Sequence, residues 1–366
     1  MTSAEHIQIT DVQAGTVKVT SLGEAAPKRL NYDPIEDLQQ KVRETAVSRR
    51  TSNMREAFVL TPDAGSLLRD GLRYIAFTSF NEIPQSFASF TTRFNSTRPH
   101  EEYLRDSGIG VLPTVRSGAE TPRVMSSLDG GVKIENRRYA TIVEVTGDDL
   151  RFDRLGMIAR QLGPELGRAG RATEEQEVYN AITTTANFTR SNTTGDNDVG
   201  ANTQTATFNA ANIELAYSII ATAKDRRSSM YLGMTPNTLV CGPRLKFAAM
   251  QLLMADSMMR VGGNTTNEVR GTGTTPIYRG LITNIIVSPW IGTSFQWALV
   301  DSTRPNSLVF QEVEPFNVIQ SSMGQDDEQW FARDIIRFRA DGYFGVGIAD
   351  DRPWFFSDST TAPTVS

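Results

Sequence analysis

The sequence is poor in the residues that most often carry chemistry. It holds one cysteine, Cys241, and two histidines, His6 and His100, in 366 residues. A single cysteine excludes an intrachain disulfide, and nothing points to an oxidising compartment. Cys241 lies in the apolar run Leu239-Val240-Cys241, which reads as a buried strand, so its thiol reads as a small core side chain. The histidines fall in no metal-ligand spacing, and neither has a serine or cysteine partner for nucleophilic catalysis. Gly-x-Ser-x-Gly and Gly-x4-Gly-Lys-Ser/Thr are both missing, and Gly271-Thr272-Gly273 lacks the third glycine of a dinucleotide loop. No apolar run approaches the ~18 residues of a membrane span. Met1 to Glu5 has neither a basic nor an apolar signal region, so no secretory signal is expected.

Charge narrows the choice further. Lys and Arg number 37 against 42 Asp and Glu, a formal net charge of −5. A dedicated nucleic-acid binder is normally basic, so tight or sequence-specific DNA binding is not expected. The acidic neighbours Asp148-Asp149, Asp326-Asp327-Glu328 and Asp350-Asp351 read as caps and turns, because adjacent residues on a strand face opposite ways. A weak magnesium or calcium site at Asp326-Asp327-Glu328 is the one metal reading the pattern allows. These gaps point away from an enzyme and imply no cofactor.

What is present is an ordered series of elements. Residues 1–75 read as an extended arm, sparse in apolar residues and broken by Pro27, Pro34 and Pro62. Short helices are expected at Asp33 to Ser48 and Asp63 to Tyr74. Two strand-like runs, Thr121 to Leu128 and Val132 to Val145, flank Asp129-Gly130-Gly131, which predicts a long polar hairpin turning there. Its return limb places Val132, Ile134, Ala140 and Ile142 on one face. Asp153 then caps a predicted helix running to Ile182, about 45 Å long at 1.5 Å per residue, with a kink or break at Pro164. Leu155, Ile158, Leu162, Leu166, Ala169 and Thr173 mark its apolar stripe. Its arginines come early and its glutamates late, against the helix dipole, which suggests partners across an interface.

The remainder alternates. A Thr/Asn/Gly-rich loop spans 183–207, and Asn209 caps a helix carrying Ile213, Ala216, Tyr217 and Ile220. A strand at Asn237 to Cys241, a Met-rich helix at Arg244 to Met259, a loop from Gly262 to Thr275, and strands at Ile282 to Val287, Phe295 to Leu299 and Leu308 to Ile319 follow. Together they imply an α/β lobe with a mixed sheet. Two strands, Ile336 to Asp341 and Tyr343 to Ile348, meet at Gly342, and Asp350 to Pro353 ends the pair.

This order resembles the major capsid proteins of tailed bacteriophages, which share the Hong Kong 97 fold. The text most like that family is Arg137-Arg138-Tyr139-Ala140-Thr141-Ile142-Val143-Glu144-Val145-Thr146-Gly147-Asp148-Asp149-Leu150, a strand running into the long helix. Asn237 to Met259, Pro276-Ile277-Tyr278-Arg279-Gly280, and Ile335 to Phe356 carry the rest. The resemblance implies an α+β fold: an N-terminal arm (1–75); the start of a peripheral domain (76–148) with an E-loop hairpin at about 113–147; a spine helix and following loop (149–207); an axial α/β domain (208–325); and returning peripheral strands with a tail (326–366). It implies a subunit that assembles with copies of itself, through pentamers and hexamers, into an icosahedral shell around double-stranded DNA in the virion, built in the host bacterial cytoplasm. Scaffold, portal and decoration proteins would be further partners. The expected inter-subunit contacts are Lys133, Arg137, Arg138, Arg154, Arg160, Arg168, Arg171, Glu174, Glu175 and Glu177. Some members of the family cross-link a hairpin lysine, and Lys133 is the candidate here. An encapsulin-like nanocompartment shell, a soluble α/β enzyme and, from the Thr/Asn-rich loop, a phage tail or surface adhesin are the competing readings.

Overall fold

The computed structural model describes residues 62–107, 110–123, 127–152, 161–226, 228–253, 258–259, 273–274, 280–292, 294–321 and 327–363. The expected helix at Asp33 to Ser48, Asp153 to Arg160 and most of the loop after Gly262 lie outside these residues. The chain divides into two units, Met1–Leu67 and Leu68–Ser366, and only the end of the first is described.

Helix α1 (Pro62–Glu82) starts at a proline, which fits the first turn because its missing N–H would be unbonded there anyway. It runs past the expected end at Tyr74, because Leu72, Ala76 and Phe80 continue one apolar face at four-residue spacing. Residues 68–82 therefore belong to the second unit and not to an extended arm. Strands β1 (Thr92–Asn95), β2 (His100–Ser107), β3 (Ser127–Glu135) and β4 (Arg137–Thr146) follow. A short helix α2 (Gly147–Phe152) leads on to α3 (Gly163–Thr183). Pro164 occupies the first turn of α3, directly after a π-helical turn at residues 161–162, so the proline sits at a change of helix geometry. At 1.5 Å per residue its 21 residues span about 32 Å.

Next come β5 (Thr203–Gln204), α4 (Ala210–Ala221), β6 (Thr238–Cys241), α5 (Lys246–Leu253), β7 (Met258–Met259), β8 (Gly273–Thr274), β9 (Asn284–Val287), β10 (Trp297–Val300) and β11 (Val309–Gln320). The chain ends with α6 (Glu328–Arg333), β12 (Ile335–Gly347) and β13 (Trp354–Ser357). Asn209 caps α4 as expected, its side chain accepting from Asn212 N at 2.8 Å. The Met-rich helix is shorter than predicted: Met258 and Met259 pair with Gly273 and Thr274 as strands.

Two main sheets result. The first has the order β1-β11-β12-β4, and the second the order β5-β13-β10-β6-β9. The second is mixed, with β10 antiparallel to β6 and β13, while β6–β9 and β13–β5 are parallel. Two strands change place relative to expectation. β11, expected in the α/β lobe, joins the first sheet, and β13, expected among the returning strands, joins the second. β12 is one continuous strand through Asp341-Gly342, not a pair, because β4 and β11 hold it along both edges.

Burial explains the arrangement. Trp297, Leu299, Leu239 and Cys241 face α4 and α5 on one side of the mixed sheet. Ala298, Val300, Val240 and Trp354 face the other side, against Val178, Tyr179 and Ile182 of α3. With both faces covered, β6, β10 and β13 are apolar nearly throughout. The first turns of α3 place Leu166 with Leu72, Ala76, Phe316, Ile336 and Phe338 under the first sheet. One helix therefore spans both cores, and Gly163 and Gly167 let α1 cross it closely. A Cβ at Gly167 would lie 2.3 Å from Ala76 O.

Candidate inter-subunit surfaces

The hairpin exists, but its strands are not the predicted ones. β3 runs straight through Asp129-Gly130-Gly131 and pairs with β2, so the turn expected there is absent. The two glycines mark a bulge. Tyr103 pairs with Val132 and Arg105 with Asp129, so β2 advances two residues while β3 advances three. The ribbon ends in the segment joining β2 to β3. Residues 111–123 are exposed throughout, including Val111 at 82% and Leu112 at 83%.

The root of the ribbon is fixed by packing and by one buried amide. Ile134 is buried with Val309 and Ala349, and Tyr103 and Val132 pack against them. Tyr103 accepts from Gln311 Nε2 at 2.8 Å. Burial raises the pKa of this phenol, the Gln311 hydrogen bond lowers it and Glu101 raises it, with a net upward shift. Asn136 donates to Ser96 Oγ at 3.1 Å and Arg98 O at 2.7 Å, and its N–H reaches Pro99 O. Gly345 and Gly347 of β12 leave room for this root, since a Cβ at Gly345 would lie 2.6 Å from Glu135 O.

Asn136 also breaks the alternation. Val132 and Ile134 point inward before it, whereas Tyr139, Val143 and Val145 do so after it. Ala140 and Ile142, expected on the same face as Ile134, are exposed.

The charged residues singled out from the sequence separate into two groups. Arg171 and Glu174 turn inward, which corrects their expected place on an inter-subunit surface. Arg171 Nη1 lies 2.5 Å from Glu174 Oε2, both side chains being nearly buried. Arg171 also donates to Phe80 O through Nε (3.2 Å) and Nη2 (3.1 Å), and lies 3.8 Å from the centroid of the Phe80 ring. Burial raises the Glu174 carboxyl above its usual range despite Arg171 and Arg93. The sequence stripe placed Ala169 and Thr173 inside. The geometry prefers Arg171, because its guanidinium can hold a helix-end carbonyl and a carboxylate together.

The others stay near the surface. Lys133 is exposed and pairs with Glu135 at 3.2 Å. Arg138 pairs with Asp341 at 2.8 Å, and Arg137 and Arg168 are exposed. Glu175 accepts from Ser86 N and Oγ. Glu177 lies beside Tyr139, whose phenol is pushed up to about 12, first by burial and then by this carboxylate. Arg154 and Arg160 fall outside the described residues.

A second buried network was not foreseen. Asp196 accepts from Arg190 Nη1 at 3.2 Å and from Arg226 Nε and Nη2 at 3.0 Å each. Arg190 Nε also reaches Asp351 Oδ1 at 3.1 Å, and Asn202 donates to Asp351 O. The Thr/Asn/Gly-rich loop is thereby tied to the segment just before β13. Asp350-Asp351, which has the chemistry of a turn, is the one signal of it in the sequence. Among the described residues no cluster of His, Cys, Asp or Glu could hold a metal ion, and no helix is long and apolar enough to cross a membrane. Asp326 lies outside the described residues, and Asp327 instead caps α6, accepting from Gln329 N at 2.9 Å.

Comparison with known proteins agrees with this architecture. The family described as "Phage capsid protein" matches residues 132–355, more than half of the chain. Comparison with curated sequences gives no match. Among solved structures, one from Mycobacterium phage Bobi is similar at 12% identity and a TM-score of 0.50, with 76% of this chain and 92% of that chain covered. The procapsid of bacteriophage JBD30 is similar at 18% identity and a TM-score of 0.41, covering 81% and 76%. The mature capsid of bacteriophage PhiM1 follows at 14% and 0.46, covering 77% and 89%. The family match over more than half of the chain shows that it belongs to the phage capsid protein family, whose members build a shell from copies of one subunit, and the two sheets, the bridging helix and the projecting ribbon agree with a Hong Kong 97-type fold.

Proposed function

We propose that the subunit assembles through pentamers and hexamers, that its shell encloses double-stranded DNA, and that it catalyses no reaction. The observation carrying this reading is the β2–β3 ribbon. A two-stranded ribbon is marginal alone in water, yet this one ends in a fully exposed segment with two large aliphatic side chains. Such a segment gains stability when a neighbour covers it. A ribbon this long can bury on the order of 1,000 Å² across a subunit boundary, the scale of a specific interface.

In this reading the ribbon is the E-loop, spanning about residues 100–135 in place of 113–147, and α3 is the spine. The mixed sheet with α4 and α5 is the axial part, and residues before α1 form the arm. Lys133, Arg137, Arg138, Arg168, Glu175 and Glu177, with Arg154 and Arg160, remain the proposed charged contacts, setting register more than affinity. Assembly takes place in the host cytoplasm, with scaffold, portal and decoration proteins as further partners. The net charge of −5 suits a wall that does not bind its contents tightly.

Replacing residues 111–123 by a short Gly/Ser linker tests the reading. The subunit should keep its circular dichroism and its unfolding midpoint but form no stable shells. Shells of normal yield and stability would refute the role given to the ribbon.

A further inference from the structure

β11 loses register with β12 twice beside α3. From Glu312 to Glu314 β11 advances two residues while β12 moves one, and from Glu314 to Asn317 it advances three against two. These bulges surround Pro315, which has no N–H to give to a ladder. The strand bows away and leaves a cavity of about 470 Å³ between the sheet and the helix. Cavities of ~300–1,000 Å³ are the size that holds small ligands. Tyr139, Phe310, Phe316 and Phe344 line the apolar part, and Ala169 and Gly170 form the helix wall.

The same groove is acidic. One arginine, Arg138, lines it against four acids, Glu174, Glu312, Glu314 and Asp341. Asp341 is held by Arg138 and Arg339, and Glu174 by Arg171. Arg93 is shared: it lies 3.9 Å from Glu174, 3.9 Å from Glu312 and 4.9 Å from the centroid of the Phe310 ring. The chain thus already places one cation of its own between an aromatic ring and two carboxylates here. Burial raises the Glu174 carboxyl, and Glu312 adds to the rise.

Glu314 repeats this chemistry without the cation. It lines the same cavity, two residues beyond Glu312, is exposed and has no ion-pair partner among the described residues. A bare metal ion does not suit it, because calcium or magnesium needs several oxygens converging on one point, and no such cluster occurs among the described residues. An organic cation needs less: one carboxylate for its charge, and aromatic walls for both its charge and its apolar body.

We infer that the α3–β11 groove is a binding site for a small alkylammonium, its apolar chain against the aromatic lining and its charge at Glu314. The ligand would bridge the helix and the sheet, and so stabilise the subunit whether or not it is assembled. The site does not depend on the shell-forming reading above.

Hexylammonium, hexanol and hexanoate share one apolar chain and differ in charge, so they separate cation recognition from cavity filling. Each is titrated into the full-length chain at constant ionic strength, with binding followed by calorimetry and the thermal midpoint by fluorescence. Hexylammonium should bind at one site per chain and raise the midpoint. A cation–ring contact and an ion pair together amount to about a tenfold gain over hexanol, and hexanoate should bind more weakly than either. Glu314→Gln should reduce hexylammonium to the affinity of hexanol. Ala169→Trp, on the exposed helix wall, should fill the groove and abolish binding of both, with circular dichroism confirming that each variant is folded. Equal binding of the three compounds, or an ammonium preference that survives Glu314→Gln, would overturn the inference. Assembled shells should bind hexylammonium as free subunits do, and loss of the site on assembly would also overturn it, because another chain would then be the occupant. Shells that form normally but bind no amine would refute this site alone and leave the assembly reading intact.

Discussion

Arg171→Met breaks the buried Arg171–Glu174 ion pair from one side. The substitution removes the guanidinium that holds Glu174, caps Phe80 O and lies on the Phe80 ring. Glu174 keeps its place with a side chain only 10% exposed. Breaking a buried pair from one side costs about 3–5 kcal/mol, because the remaining charge loses its buried partner; the part-exposed Arg93, 3.9 Å from Glu174, compensates it only in part. The lost cation–ring contact adds up to about 2 kcal/mol, and methionine sulfur on the ring returns about 1. The expected loss is therefore about 2–6 kcal/mol, a large share of a typical domain's stability.

The loss should depend on pH in a defined direction. Burial already raises the Glu174 carboxyl, and without Arg171 it rises further. A group whose folded pKa is raised contributes most below its unfolded value, about 4.3 for glutamate, and that contribution fades as pH rises through the folded value. The deficit should be smaller at pH 5 than at pH 8. Urea unfolding of unassembled subunits, followed by fluorescence and compared at constant m, measures it. Arg171→Met/Glu174→Leu should recover most of the loss. A single-variant deficit below about 1 kcal/mol at pH 8, or one unchanged by pH, would refute the reasoning.

Three other outcomes follow from named contacts. Gly167→Ala gains about 1 kcal/mol of helix propensity but drives a Cβ into the backbone at Ala76 O and Phe80 N, so thermal unfolding should show a net loss of about 1–2 kcal/mol. Burial tends to raise the Asp196 carboxyl, but hydrogen bonds from Arg226 and Thr194 and the charge of Arg190 hold it below its usual range. Its contribution is present above the unfolded value, about 3.9, and lost as pH falls through the folded one, so Asp196→Asn should flatten the acid limb of a stability–pH curve. Burial pushes the Cys241 thiol up to about 12, so a thiol reagent at pH 8 should label it only as the chain unfolds, and fast labelling of native protein would contradict that.

Element type was legible where one physical signal dominated. Ile336, Phe338 and Ala340 alternate inward as the period of two demands, and Asn209 caps α4 as its side chain predicts. Pairing was less legible, because tertiary partners decide it. Asp129-Gly130-Gly131 has turn chemistry in isolation, but β2 offers a continuous ladder and the glycines serve as a bulge. Gly342 looked like a corner, yet two flanking strands keep β12 straight. At Asn136 a single buried amide reverses the parity of everything after it, which no periodicity reveals. Among the candidate contacts, charge alone could not separate Arg168, which faces solvent, from Arg171, which is buried one turn later. The Arg190–Asp196–Asp351 network was invisible for a different reason. Arg190 and Asp196 are neighbours in sequence, but Asp351 is 161 residues from Arg190 and meets them only when the loop after α3 lies against the segment before β13.

The most direct test of the central claim is velocity sedimentation, with negative-stain electron microscopy, of the purified unmodified chain at rising concentration. Pentamers and hexamers that close into icosahedral shells are the expected result. A monomer or dimer that persists at every salt and concentration, with scaffold protein added, would contradict it.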